Sequence, residues 1–467
     1  MSIHYQQTVF SKILIVVFAL VSITSCSGNK TDDKTQAAND AVETHHYSKK
    51  ASRKLRKAIE KNDLELVEKL LDAGEDPNGT ITGYLRGGRK TDKHDLSDKD
   101  WTVLMVASYH NKIELVKLLL RKKADINAVN AAGHSALFLA CANRDEEMAA
   151  FLLENGADVK QAGADKSGMS ALQWALAYEW NEIALKMISL GADLNTASSE
   201  TGKTVLLEAL EGDSIRSEVI RLLIDSGADV DQVNSKYKSS PLMLACQRND
   251  LAVVRKILAK QPNINREDES GSTALCYAAR NDADNTELLE LLIKKGAKVN
   301  IANAYGRNAL IEAVSSRSLR KVDFLLKNGA KINRKSDGFG GVSAISEAVW
   351  NEDLEMVKLL LDRGADIATE LDNGETLLLR GILSENSYPV VKLLIERGAD
   401  VNHSNNDKET PLMKAASYNG LYEIVQLLLQ SGASKDGKDV YGKTAINYAE
   451  ETADRTGDRA ILDLLRN

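Results

Sequence analysis

A chain of 467 residues with 43% apolar and 27% charged residues is suited to folding in water, and its five prolines exclude a proline-rich stalk as the main body. The net charge of -7 comes from acids and bases mixed along the chain, with no basic tract to follow a nucleic-acid backbone, so nucleic acid is excluded as the expected partner. Four scattered cysteines (Cys26, Cys141, Cys246 and Cys276) and no C-x-x-C pair exclude a disulfide framework and a zinc site of the usual spacing.

In chain order, the first feature is an address. Lys12 precedes an apolar run from Ile13 to Val21. A bilayer-spanning helix needs roughly 20 apolar residues, so this run fits the h-region of a secretory signal better. It leads into Ile23-Thr24-Ser25-Cys26, which resembles the lipobox of bacterial lipoproteins. The resemblance implies a signal peptide over residues 1–25, cleavage after Ser25 and a lipidated, palmitate-bearing Cys26. It implies a membrane location in the cell envelope; Ser27 in place of Asp after Cys26 favours the outer membrane facing the periplasm, with surface display as the alternative. Residues 26–50 then form the lipidated cysteine and a polar, flexible tether.

From residue 51 to 467 the chain repeats itself. "TVLMVAS" from Thr102, "SPLMLAC" from Ser240, "STALCYAA" from Ser272 and "TPLMKAA" from Thr410 are versions of one phrase. Each precedes a Leu-rich segment such as "ELVKLLL" or "EIVQLLL", and then "GADLN", "GADVD" or "GAKVN". Anchor residues fall at Thr102, Ser135, Ser170, Thr204, Ser240, Thr273, Asn308, Ser343, Thr376, Thr410 and Thr444, spaced by 33 to 36 residues. An earlier unit, read as lacking an anchor, covers Ser52 to Asn78. This pattern resembles the ankyrin repeat family, whose unit of about 33 residues combines a T-P-L-H-x-A opening with two helices and a β-turn. The resemblance implies an all-α repeat solenoid of about twelve stacked helix-turn-helix units joined by β-hairpin loops.

The residue types fit that reading. Ser or Thr at the anchor caps the first helix, and small alanines let neighbouring units approach. Val116, Leu119 and Leu120, like Val425, Leu428 and Leu429, fall at helical spacing. Glycine after the second helix supplies the left-handed residue that ends it. Cys141 and Cys246 each stand six residues after an anchor, where a small buried residue is expected. Two departures are expected to give a local irregularity or a weaker seam: Gln261-Pro262 in place of Gly-Ala, and Gly381 inside a first helix. The longer loop over 79–99 is expected to project from the hairpin side, as a disordered insertion or a functional arm.

No catalytic constellation is present: there is no H-E-x-x-H and no G-x-S-x-G, so the chain is expected not to be an enzyme and to need no cofactor, metal or small-molecule substrate. Gly437 to Thr444 spells G-x-x-x-x-G-K-T, the word of a phosphate-cradling loop, but no apolar strand precedes it and Thr444 is in register with every anchor. A nucleotide-binding enzyme is therefore the weakest reading. The leading expectation is a protein-binding scaffold working through its concave face; an inhibitor or immunity-type protein that masks a toxin or hydrolase is the alternative. In ankyrin proteins, partners usually contact the hairpin tips and the inner helices. Those positions hold Trp101, Tyr109, Tyr178, Tyr237, Tyr305, Phe339, Trp350, Tyr418 and Tyr441, flanked by His110, Arg248, Arg280 and Arg307. Tyr and Trp there offer large contact area at low entropic cost.

Overall fold

The computed structural model of the chain describes residues 49–81, 100–160, 168–336 and 340–467. The signal peptide, Cys26, nearly all of the tether, most of the 79–99 loop and Phe339 lie outside the described residues.

A Ser or Thr hydroxyl followed by an Ala/Leu-rich run starts a short helix, and the structure uses this device down the body. Thr102 Oγ1 accepts from Met105 N at 3.2 Å to open Val103–Tyr109, and Ser135 Oγ accepts from Phe138 N at 3.2 Å to open Ala136–Ala142. Asn308 serves equally, accepting from Ile311 N at 3.0 Å. The first unit does have an anchor: Ser52 Oγ accepts from Leu55 N at 3.1 Å and caps Arg53–Glu60. Second helices are capped by their own residues in several units, as Asp145 caps Glu146–Glu154 and Asp250 caps Leu251–Ala259. The described residues form twelve such helix pairs, from Arg53–Glu60 with Leu64–Asp72 to Ala445–Thr456 with Ala460–Arg466.

First helices pack on first helices and second on second, so one apolar core runs through the stack. Cys141 and Cys246 are fully buried in it and Cys276 nearly so; burial pushes all three thiols up, which leaves them as small packing groups.

Second helices end on a left-handed residue, glycine in most units, such as Gly227 at φ 98° and Gly296 at φ 99°. The Gln261-Pro262 departure disturbs this less than expected. Gln261 takes φ 57° and the turn is kept, but Pro262 has no N–H to make the bond that Ala228 N makes to Leu223 O at 3.0 Å. Gly381 has a clearer effect. The tenth unit's first helix is cut to Leu377–Gly381, and a Cβ at Gly381 would lie 3.2 Å from Val349 Cγ1. Glycine therefore permits a closer approach between neighbouring units.

Between units the chain makes a hairpin whose tip is stitched to the next. Ser235 N donates to Thr201 O at 2.9 Å, Glu269 N to Tyr237 O at 2.8 Å and Ala304 N to Ser270 O at 2.7 Å. The base of the long 79–99 loop is a true two-stranded ladder, Thr80–Ile81 antiparallel to Trp101–Thr102. Residue 50 pairs with Thr80 from the other side. Among the described residues no helix is long and apolar enough to cross a membrane.

Candidate protein-binding face

The hairpins and first helices together line one face, and the residues expected there divide into three groups. Five rings are at the surface: Tyr237, Tyr305, Trp350, Tyr418 and Tyr441 are 49%, 50%, 53%, 44% and 80% exposed. Tyr109 and Tyr178 are half-buried and held by neighbours. Tyr109 meets His110 edge-on at 5.3 Å, and the Arg144 guanidinium lies 4.6 Å over the Tyr178 ring, which also stacks on Trp174 at 5.5 Å. Partial burial, and then the Lys112 charge, hold the His110 imidazole below its usual range.

The third group corrects the sequence reading. Trp101 is fully buried: its strand pairs with Ile81 and its ring packs edge-on to Tyr109 at 5.1 Å, so it belongs to the core. Arg248 is a structural clamp. Its Nη1 and Nη2 donate to Gly212 O at 2.6 Å and Ile215 O at 2.9 Å, fastening the longer turn of the preceding unit. Arg280 and Arg307 do not form a free charged rim, because both are bound to Glu312. Arg280 makes two parallel bonds, Nε to Oε2 at 2.9 Å and Nη2 to Oε1 at 2.8 Å; Arg307 Nε adds a third at 3.1 Å. Burial opposes ionisation of Glu312, but the two guanidiniums outweigh it and hold its carboxyl below the usual range.

Glu312 belongs to a row that the sequence reading passed over, four residues after each anchor. Across successive units this row reads Glu208, Leu244, Tyr277, Glu312, Glu347, Arg380, Lys414 and Tyr448. The signal was available: residues i and i+4 share a helix face, and a first helix opening inward at position seven must also open at about position four. The row joins the hairpin residues into an ionic lattice. Lys203 lies 3.8 Å from Glu208 and 2.6 Å from Glu211 one turn further on, Arg307 reaches Glu347 at 3.4 Å, and Lys414 meets Glu375 at 2.8 Å. Arg380 lies 4.9 Å over the Trp350 ring, so the largest exposed ring is held by a neighbouring unit.

One part of this face is concave enough to take a side chain. A pocket of about 500 Å³ is lined by Tyr237, Tyr277, Tyr305, Leu244, Glu211, Asp268 and their neighbours. Tyr277 Oη donates to Asp268 Oδ2 at 2.8 Å, and burial followed by that bond pushes its phenol up to about 12. The pocket therefore offers ring edges and acceptors held in fixed positions.

The phosphate-loop word resolves into a hairpin. The N–H groups of Tyr441 and Lys443 already donate to Asp439 Oδ1, at 2.9 and 2.8 Å, so a carboxylate stands where a phosphate would need to be. Lys443 Nζ pairs with Glu451 at 2.7 Å. Among the described residues no group of three or more His, Cys, Asp or Glu is placed to hold a metal ion.

Comparison with known proteins agrees with this architecture. The family model described as ankyrin repeats matches residues 55–163, 242–336, 345–439 and 378–465, well over half of the chain. Among curated proteins, the human transient receptor potential cation channel subfamily A member 1 is 27% identical over 295 residues, covering 61% of this chain and 24% of the channel. Human B-cell lymphoma 3 protein is 31% identical over 246 residues, covering 52% of this chain and 44% of that protein. The chain thus spans less than half the length of these relatives. Among solved structures, the human ASB11 ankyrin repeat domain is 28% identical, with 49% of this chain and 98% of that domain covered and a TM-score of 0.43. The chain belongs to the ankyrin repeat family.

Proposed function

We propose that the chain is a non-enzymatic scaffold that captures a protein partner on the face formed by its hairpin tips and first helices. Ankyrin repeats generally serve protein–protein interaction. The observation that carries the reading here is the row of exposed rings, Tyr237, Tyr305, Trp350 and Tyr418, set on a lattice of ion pairs between units. Large rings whose surroundings are already ordered lose little entropy on binding. The test is capture of a partner by the full chain and by the double variant Tyr305→Ala, Trp350→Ala. Loss of capture with an unchanged thermal unfolding midpoint supports the reading, and unchanged capture overturns it. An activity assay on the captured protein separates a scaffold from an inhibitor.

The finer part of the proposal is a lipid anchor on Cys26 that holds the body at the cell envelope, most simply at the outer membrane. Its support is the Ile23-Thr24-Ser25-Cys26 sequence after a basic and apolar leader. Each buried acyl methylene contributes about 0.8 kcal/mol, so more than one chain is needed for stable attachment. Cys26→Ala is expected to abolish palmitate incorporation and release the protein from the membrane fraction. Retention of both label and membrane attachment would sink this part alone.

A further inference from the structure

The chain is acidic overall, yet two consecutive units carry a surface of the opposite sign. Most units place an acid after the Gly-Ala that ends the second helix, such as Asp193, Asp229, Asp366 and Asp400; the seventh and eighth place Lys298 and Lys331 there. These lysines occupy the same register in adjacent units, tied together where Asn300 Oδ1 accepts from Lys331 N at 2.9 Å. Lys294 and Lys295 precede Lys298, and Arg334 and Lys335 follow Lys331, with no acid in 294–300 or 327–336. Lys294, Lys295, Lys298, Lys331 and Lys335 are exposed, and none of them is in an ion pair among the described residues. Arg334 is held across the seam, its Nη1 donating to Asn300 O at 2.7 Å. Lys331, Asn333, Arg334 and Lys335 line a depression of about 530 Å³.

We infer that this surface docks an extended acidic segment of a partner polypeptide, separately from the face described above. Unpaired like charges in one place repel one another, and a partner of opposite sign relieves that repulsion. Two features select a chain segment over a flat anionic membrane. The patch is bounded in the same register by the neutral Asn263 on one side and by Asp366, one unit away, on the other, an acid that a broad anionic surface would meet within about one Debye length of 10 Å. Stacked helices lie about 8–10 Å apart, and an extended chain advances about 3.3 Å per residue, so an acid at every third residue keeps step with one unit.

The probe is a fluorescent ten-residue peptide with glutamate at every third position among serines, titrated against the full chain in 50 mM salt. The comparison peptide has lysine at the same positions. Saturable binding of the glutamate peptide alone is expected, with affinity reduced at least tenfold in Lys298→Asp, Lys331→Asp. These substitutions install the residue that other units use at this register, so folding is retained. The control Lys54→Asp, Lys61→Asp makes the same charge change on exposed residues of the first unit and is expected to have less than a twofold effect. Absence of binding, equal loss in the control, or binding unaffected by the patch variant overturns the inference. So does patch-dependent binding to phosphatidylserine vesicles that exceeds binding to the peptide. Trp350→Ala is expected to leave peptide affinity unchanged, which keeps this test independent of the face proposed for scaffolding.

Discussion

The Asn333 carboxamide joins two units: its Oδ1 accepts from Asp366 N at 2.9 Å while its Nδ2 donates to Gly364 O at 3.3 Å. The same bridge recurs at Asn195, Asn265, Asn300 and Asn402. It satisfies one backbone donor and one carbonyl at the end of a helix, where such groups lack partners within the helix. Lys160 and Ala368 stand at the equivalent positions and carry no carboxamide. Ala368→Asn is therefore expected to stabilise the body by about 1 kcal/mol, the net value of a typical protein hydrogen bond. Urea unfolding checks it; a neutral or negative change would show that the ninth seam is not spaced to accept the bridge.

Glu312 predicts the acid response. Its carboxyl is depressed in the folded protein, so its contribution is present above its unfolded value of about 4.5 and is lost as pH falls through the lower folded value. Glu312→Gln leaves the Arg280 and Arg307 guanidiniums without their shared carboxylate, at an expected cost of about 2 kcal/mol at pH 7, less than for a fully buried pair because Arg280 is half-exposed. The difference between wild type and variant is expected to shrink below pH 4.5. A difference that stays constant down to pH 3 would contradict the assignment.

The repeat itself was legible because its determinants are local. A capping hydroxyl, a helix of small residues and a terminating glycine lie within one unit, and their recurrence fixes register. The binding face was legible only in part, because position in a unit reports which way a residue points but not what it meets. Tyr237, Tyr305, Trp350, Tyr418 and Tyr441 are where position puts them, exposed. Trp101 sits at a tip position too, but the strand at Thr80–Ile81, twenty residues earlier, covers it. Arg280 and Arg307 read as a rim until Glu312, on the next unit from Arg280, is seen between them. The basic surface escaped composition for a related reason: the chain as a whole is acidic, and its two short acid-free clusters, 294–300 and 327–336, are joined into one patch only by stacking.

Gly271 tests the hairpin contact. It holds φ 82°, and a Cβ there would lie 3.2 Å from Asn303 Cα and 3.3 Å from Ala304 N in the next hairpin. Gly271→Ala combines a left-handed alanine with a backbone contact that no side-chain rotation relieves, at an expected cost of about 1–3 kcal/mol. The same change at Gly442, whose added Cβ would meet nothing within 4 Å, isolates the conformational part. A smaller cost at Gly271 than at Gly442 would mean that the hairpins are not in close contact.

Lys321 is the buried cation of the second helices. Only 1% exposed, it donates to Asn281 O at 2.6 Å, Asn281 Oδ1 at 2.9 Å and Ala279 O at 3.3 Å, closing the end of the seventh unit's first helix. Burial draws its pKa down to about 8, against the pull of Asp284 and Asp282. Lys321→Met removes the buried charge but leaves Asn281 O without its donor, so a net loss of about 1–3 kcal/mol is expected at pH 7. The sign with pH is distinctive. Between the folded value of about 8 and the unfolded 10.5 the unfolded chain holds more protons, so rising pH favours the folded wild type through this group. The deficit of the methionine variant is therefore expected to widen from pH 8 to pH 10. A deficit that narrows over that range would show that the three acceptors hold the ammonium charged.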